Sequence, residues 1–329
     1  NKEVIEQILD DGGHYERSPM YHAIILEDIL DILNASNYWN GCIDQSVLDT
    51  LREKVKKMII WLSYMVHPDG EVSFFNDSSF NIAPNIDDLI AYSRSLNIET
   101  NSLESFKHFK KSGYVVSKKQ DSHIILDIGP VGPDHQSGHG HADTLSFELS
   151  LFNERLIVNT GVSTYDICSR RDFERSTKAH NTVEINNTNS SQTWKSFRMG
   201  NRADVTILEI LIGKKNLITA NHNGYAYIDG SPEHTREWII EEKRILIIDT
   251  VTGNYNDAIS RLYLHPDIII ENNNFLILPS GKSCKFSTSC KNLKKIRSSW
   301  SPEFGIKKAN YCFEMDFSEK RIESAISWI

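Results

Sequence analysis

Apolar positions follow a helical period over the first third of the chain and a strand period after it. Val4, Ile5, Ile8 and Leu9 begin a helical stripe, and Ile24, Ile25, Ile29, Leu30, Ile32 and Leu33 form a broad apolar face over residues 20–34. Ser18 followed by Pro19 predicts an N-cap and first turn for that helix. Leu48, Leu51, Val55, Met58, Ile59 and Leu62 predict a second long helix over 46–66, closed by the turn-forming His67-Pro-Asp-Gly70. A shorter one is predicted over 86–96. From about residue 113 the pattern shortens to runs at 114–117, 123–127, 156–158, 182–185, 238–240, 244–249, 261–264, 267–270, 275–278 and 311–317. Such runs, separated by Gly, Asn, Asp and Pro, predict an antiparallel β-sandwich. The expected organisation is therefore α+β and multidomain, with a helical part over 1–105 and a large sandwich over 106–329. The helices are too few to close a large α-domain by themselves.

Composition narrows the function classes more than it narrows the fold. A net charge of −8 argues against a nucleic-acid binder, but a local basic cleft on an acidic protein can still hold an acidic ligand. Cys42, Cys168, Cys284, Cys290 and Cys312 are too few and too scattered for a disulfide framework, although Cys284 and Cys290 are spaced for a hairpin pair. No apolar run has the length of a membrane span. The chain starts at Asn1, so the lack of a visible signal peptide is uninformative about compartment.

Four patches concentrate chemistry. His135, His139, His141 and Asp143 crowd three imidazoles and a carboxylate into nine residues interleaved with glycine. Imidazole suits both proton transfer near neutral pH and metal binding, and a solvated loop is the plain alternative. Strand alternation would place His139 and His141 on one face, and Gly138 and Gly140 supply the freedom to part them. The second patch, Asp11-Gly-Gly-His14-Tyr15-Glu16-Arg17-Ser18-Pro19-Met20-Tyr21-His22, packs polar and aromatic residues around a helix start, where free N–H groups favour anions. The third runs from Asn159-Thr-Gly161 through Tyr165, Arg170, Arg171 and Arg175 to His180-Asn-Thr182. Its arginines suit a uronate carboxylate, or else pair with Asp166, Asp172 and Glu174. In the fourth, Trp194, Phe197 and Arg198 either line a carbohydrate cleft or form a core tryptophan with a paired arginine.

Together these motifs resemble the heparinase II/III-type polysaccharide lyases, a family related to some alginate lyases. The resemblance rests on the Asp11–His22 motif, on Gly138-His-Gly-His-Ala-Asp143 with Phe147-Glu-Leu149, on Asn159-Thr-Gly161, on Ala179-His-Asn-Thr182 and on residues 194–198, all in the same order. It implies part of an α/α toroid followed by an antiparallel β-sandwich, with an active site in the cleft between them. It implies β-elimination on an acidic, uronic-acid polysaccharide, with Tyr21 as acid (or acid and base) and His139 as base. His14, Glu16, Arg17, Arg175, Trp194 and Arg198 are the implied substrate-binding residues. His141, Asn159 and His180 match a structural zinc site, in which Asn159 replaces the usual aspartate with a weaker neutral donor. A periplasmic or secreted location is implied as well. The family's carboxylate-neutralising residue lies on earlier helices, so this chain alone is expected to be weakly active or inactive. A non-catalytic carbohydrate-binding protein and a metal-dependent hydrolase are the competing readings of the same residues.

Overall fold

The computed structural model of the protein describes residues 2–39 and 41–329. Four helices come first: α1 (Lys2–Gln7), α2 (Pro19–Ser36), α3 (Gln45–Met65) and α4 (Ile86–Ser95). Ser18 caps α2, its hydroxyl accepting the Tyr21 N–H at 3.1 Å, and Pro19 sits in the first turn, where its missing N–H costs nothing. Leu26, Leu30 and Leu33 of α2 share one core with Val55, Met58 and Leu62 of α3. Among the described residues no helix is long and apolar enough to cross a membrane.

The strands form a five-stranded meander (Phe106–Phe109, Tyr114–Lys118, Ser122–Asp127, Phe147–Leu151, Glu154–Ile157), an eight-stranded sheet, a four-stranded sheet and a two-stranded ribbon, all antiparallel. The meander is the middle layer. Tyr114, Val116 and Ile125 face the helical core, whereas Val115, Ile124 and Leu126 face the core shared with the eight-stranded sheet. Burial on both faces explains why these strands read as continuous apolar runs without alternation. On the far side Ile218, Trp238, Ile245 and Ile326 of the eight-stranded sheet close the sandwich.

Several strands escape hydrophobic patterning. Asn216–His222 alternates strictly between buried and half-buried positions, but its inward residues include Asn216 and His222. Val205–Leu211 is an edge strand with most of its side chains exposed, so one face has no core to match. Leu293–Trp300 carries Lys294, Lys295 and Arg297 outward. Cys284 and Cys290 remain free thiols, as do the other three cysteines.

Inside the sandwich lies a buried charge cluster. Arg236 grips Asp249 through Nε at 2.6 Å and Nη2 at 2.9 Å, and His234 Nε2 donates to the same carboxylate at 2.8 Å. Burial pushes the Asp249 carboxyl up, but Arg236 and His234 outweigh it and hold the group well below the usual carboxylate range.

Buried neutral histidines make the fold acid-sensitive. His22 stacks on Trp61 at 4.4 Å, donates from Nε2 to the Met58 carbonyl at 3.0 Å and accepts the His14 N–H at Nδ1. Burial lowers His22 and His14 to about 3 and His265 to about 4. A histidine whose folded value is depressed binds a proton first in the unfolded chain. The stability it gives is therefore complete above the unfolded value of about 6.5 and is lost as pH falls toward the folded value. Urea unfolding at a series of pH values should show stability falling between about pH 6.5 and 4. His22→Gln is expected to flatten that slope by up to about 1.4 kcal/mol per pH unit. Parallel slopes for the two proteins would contradict this.

Candidate active site

Tyr21 stands in the first turn of α2, against the segment 137–146, of which residues 137–139 line a cleft. That segment is a chain of turns rather than a strand entrance, and Leu145 takes a left-handed φ of 61° within it. The turns bring His139 over Tyr21, with ring centroids 4.0 Å apart and planes inclined by 37°. The Tyr21 hydroxyl is 3.1 Å from the hydroxyl of Tyr165, which comes from the loop after Glu154–Ile157. Burial raises the pKa of Tyr21 above the ordinary 10, so its phenol keeps its proton at neutral pH.

Asp77, which no sequence motif flags, sits at the centre of the site. It follows α3 on an irregular loop and is fully buried. Its Oδ2 is 2.9 Å from His139 Nδ1 and its Oδ1 is 2.8 Å from His141 Nε2. Arg171, on the short helix α5 (Ser169–Glu174), donates to both oxygens, with Nη2 2.7 Å from Oδ2. The Asp77 N–H donates to the His139 carbonyl at 3.1 Å. Burial alone would raise this carboxyl, but the two histidines and Arg171 hold it well below the usual range, and it stays ionised. His139 and His141 therefore share one carboxylate and part beyond it, His139 lining the cleft and His141 turning its Nδ1 to His180. The signal available in the sequence was indirect: a cluster of N–H donors implies a buried acceptor, but nothing local says which aspartate supplies it.

The other residues singled out from sequence divide between cleft and scaffold. Phe197 and Arg198 are exposed and line, with His135 and His139, a cleft of about 700 Å³. Trp194 is exposed on the same ribbon, where Trp194 pairs with Arg198. Two arginines expected to bind substrate are held by the main chain. Arg17 is buried and donates to the carbonyl of Ser112 at 3.1 Å, and Arg175 is buried and donates to the carbonyls of Gly140, Lys195 and Arg198. A guanidinium whose donors are filled by main chain shapes the cleft wall and has little left for a ligand. Arg170 pairs with Glu174 at 2.7 Å, as the local acids suggested. His14 and Glu16 are both mostly buried, 3.9 Å apart, and the ring nitrogens of His14 have no hydrogen-bond partner among the described residues. Burial raises the Glu16 carboxyl, against an opposing effect of His139.

Of the three residues matched to a zinc site, His141 and His180 face each other, and Asn159 is held by Asn181 beside His180. His141 Nε2 donates to Asp77 and His180 Nδ1 donates to the Ser176 carbonyl at 2.8 Å, so the two nitrogens that face each other at 3.1 Å both carry lone pairs. That pair can hold a cation. Asn159 cannot complete the set as a carboxylate would. Its Oδ1 accepts from the backbone and side-chain nitrogens of Asn181, each at 3.2 Å, and its Nδ2 donates to the Phe74 carbonyl. Among the described residues no group of three or more His, Cys, Asp or Glu side chains is arranged to hold a metal ion. The donors present therefore do not fit a structural zinc site.

Comparison with known proteins agrees with this architecture. Residues 101–328 match the family model "Heparinase II/III-like, C-terminal" and residues 1–93 match "Heparinase II/III N-terminus". The chain belongs to the heparinase II/III-like family. It is 23% identical over 294 residues to a heparin-sulfate lyase of Bacteroides stercoris, covering 81% of this chain and 40% of that protein. A heparin-sulfate lyase of Pedobacter heparinus matches at 23% identity, with 80% and 40% covered. The crystal structure of heparinase III superimposes with a TM-score of 0.80 at 18% identity, covering 100% of this chain and 56% of that one. The heparan sulfate lyase HepC from Pedobacter heparinus gives a TM-score of 0.78 at 18% identity, with 99% and 54% covered. The chain spans about 40% of the length of the curated relatives it matches.

Proposed function

We propose that the Tyr21–His139 pair is the acid–base centre of a polysaccharide lyase that cleaves a uronic-acid polymer by β-elimination. One observation carries this reading: a protonated phenol and an imidazole lie 4.0 Å apart, ring to ring, at a cleft edge, each held by its own partner. Elimination needs one group to take the C5 proton and another to give a proton to the departing O4. His139 Nε2 takes the proton, the electron pair of the C5–H bond becomes the C4–C5 double bond, and the C4–O4 bond breaks as Tyr21 protonates O4. Arg198, exposed in the cleft wall, is the cation this reading assigns to the uronate carboxylate. The reading extends to an acidic polysaccharide as partner and to a periplasmic or secreted location, where such polymers are met. The test is incubation with heparan sulfate, alginate and other uronate polymers, following ultraviolet absorbance of the unsaturated product. Absorbance growing with one polymer supports the proposal; sugar release without it sinks the proposal.

No step of this reaction runs through a metal. With two imidazole donors and an amide in place of the carboxylate, zinc is expected to bind weakly, and Asn159→Asp is expected to tighten it by about tenfold or more. Titration calorimetry of the two proteins with zinc decides this, and equal affinities would show that the third donor is not at residue 159.

A further inference from the structure

We propose that Asp77 is the positioning residue of the site: it fixes the tautomer of His139 so that Nε2, the nitrogen facing the cleft, carries the lone pair. This rests on the reading of His139 as the base and adds the group that makes it one. The geometry allows a single assignment of hydrogens. Asp77 receives both Arg171 guanidinium nitrogens and His141 Nε2, so it is an ionised carboxylate that can only accept. The His139 nitrogen 2.9 Å from Oδ2 must then be an N–H, and the neutral ring has its free electron pair at Nε2. Nε2 has no hydrogen-bond partner among the described residues, and the His139 side chain keeps 19% of its surface exposed, so a substrate can reach it. The ring is also held from the other side, because the Asp77 N–H donates to the His139 carbonyl and the Tyr21 ring covers its face.

The same residue ties two parts of the chain together. Asp77 follows the helical α3, and its hydroxyl-bound carbonyl accepts from Ser18, the cap of the helix that carries Tyr21, at 2.6 Å. His139, His141 and Arg171 all belong to the strand-rich part. Base alignment thus depends on the Asp77 side chain, and the seating of the acid-bearing helix against that part on the main chain of the same residue. Asparagine cannot replace it: an amide turns an N–H₂ toward at least one of the donors that now meet a carboxylate oxygen. Where the N–H₂ falls on His139, the ring is released to the Nε2–H form, in which the cleft nitrogen is a donor and cannot take a proton.

The direct test is nitrogen-15 NMR of histidine-labelled protein, with His139 assigned by loss of its signals in His139→Gln. The expected result is a pyrrole-type Nδ1 and a pyridine-type Nε2 in the unsubstituted protein, with a shift toward the opposite pattern in Asp77→Asn. An Nε2–H ring at His139 in the unsubstituted protein would overturn the proposal, whether or not a substrate is in hand. With a substrate, Asp77→Asn should lower kcat by about 100-fold or more with KM changed by less than about threefold. A variant with full kcat would overturn it too. If Asp77→Asn fails to fold, the spectrum of the unsubstituted protein still decides. Sugar release without a C4–C5 double bond, alongside an Nδ1–H ring, would refute the lyase reading and leave the role of Asp77 standing.

Discussion

Tyr21→Phe is expected to lower kcat for uronate elimination by about 10²–10⁴-fold, with KM changed by less than about threefold. The change removes one oxygen and leaves the ring that stacks on His139, so binding and fold have little reason to move. The loss falls on protonation of O4. Without it the departing oxygen leaves as an alkoxide, a much poorer leaving group. Initial rates of unsaturated product read the effect, and a Tyr21→Phe enzyme with unchanged kcat would remove Tyr21 from the chemistry. His139→Ala is expected to lose as much by removing the base. Because the two groups act in one elimination, the double variant should be only slightly worse than either single one.

The largest effect on stability is expected inside the sandwich, at Arg236. Arg236→Ala should cost about 3–5 kcal/mol, because Asp249 stays buried in the sandwich after its strongest partner is gone. The guanidinium also donates to the carbonyls of Leu145 and Asn181, so the residues behind His141 and His180 lose their support together. Urea unfolding measures the change. Arg321→Ala, which breaks an exposed pair with Glu323, is the comparison and should stay within about 0.5 kcal/mol. Equal losses at the two positions would contradict the role given to burial.

Legibility in the sequence tracked how local each feature is. The helices α2 to α4 show in hydrophobic period and capping residues, because one buried face repeats at fixed spacing, and the meander strands show as continuous apolar runs because both faces are buried. Strands whose inward residues are Asn216 and His222, or whose faces are both largely exposed as in Val205–Leu211, carry no such period. In the site, His139 and Tyr21 stood out through their motifs, and the structure brings them into contact. Asp77 did not, since its role depends on three donors that are 62 to 94 residues away. Arg17 and Arg175 had the right charge for a carboxylate ligand, but charge says nothing of burial, and main-chain carbonyls claimed both.

The most direct test of the account is to run polymer cleavage in water labelled with oxygen-18. β-Elimination adds no water, so the account predicts a C4–C5 double bond in one product and no label incorporated by cleavage at either new end. Label at a new chain end with no double bond would mean hydrolysis and would contradict the role given to Tyr21 and His139.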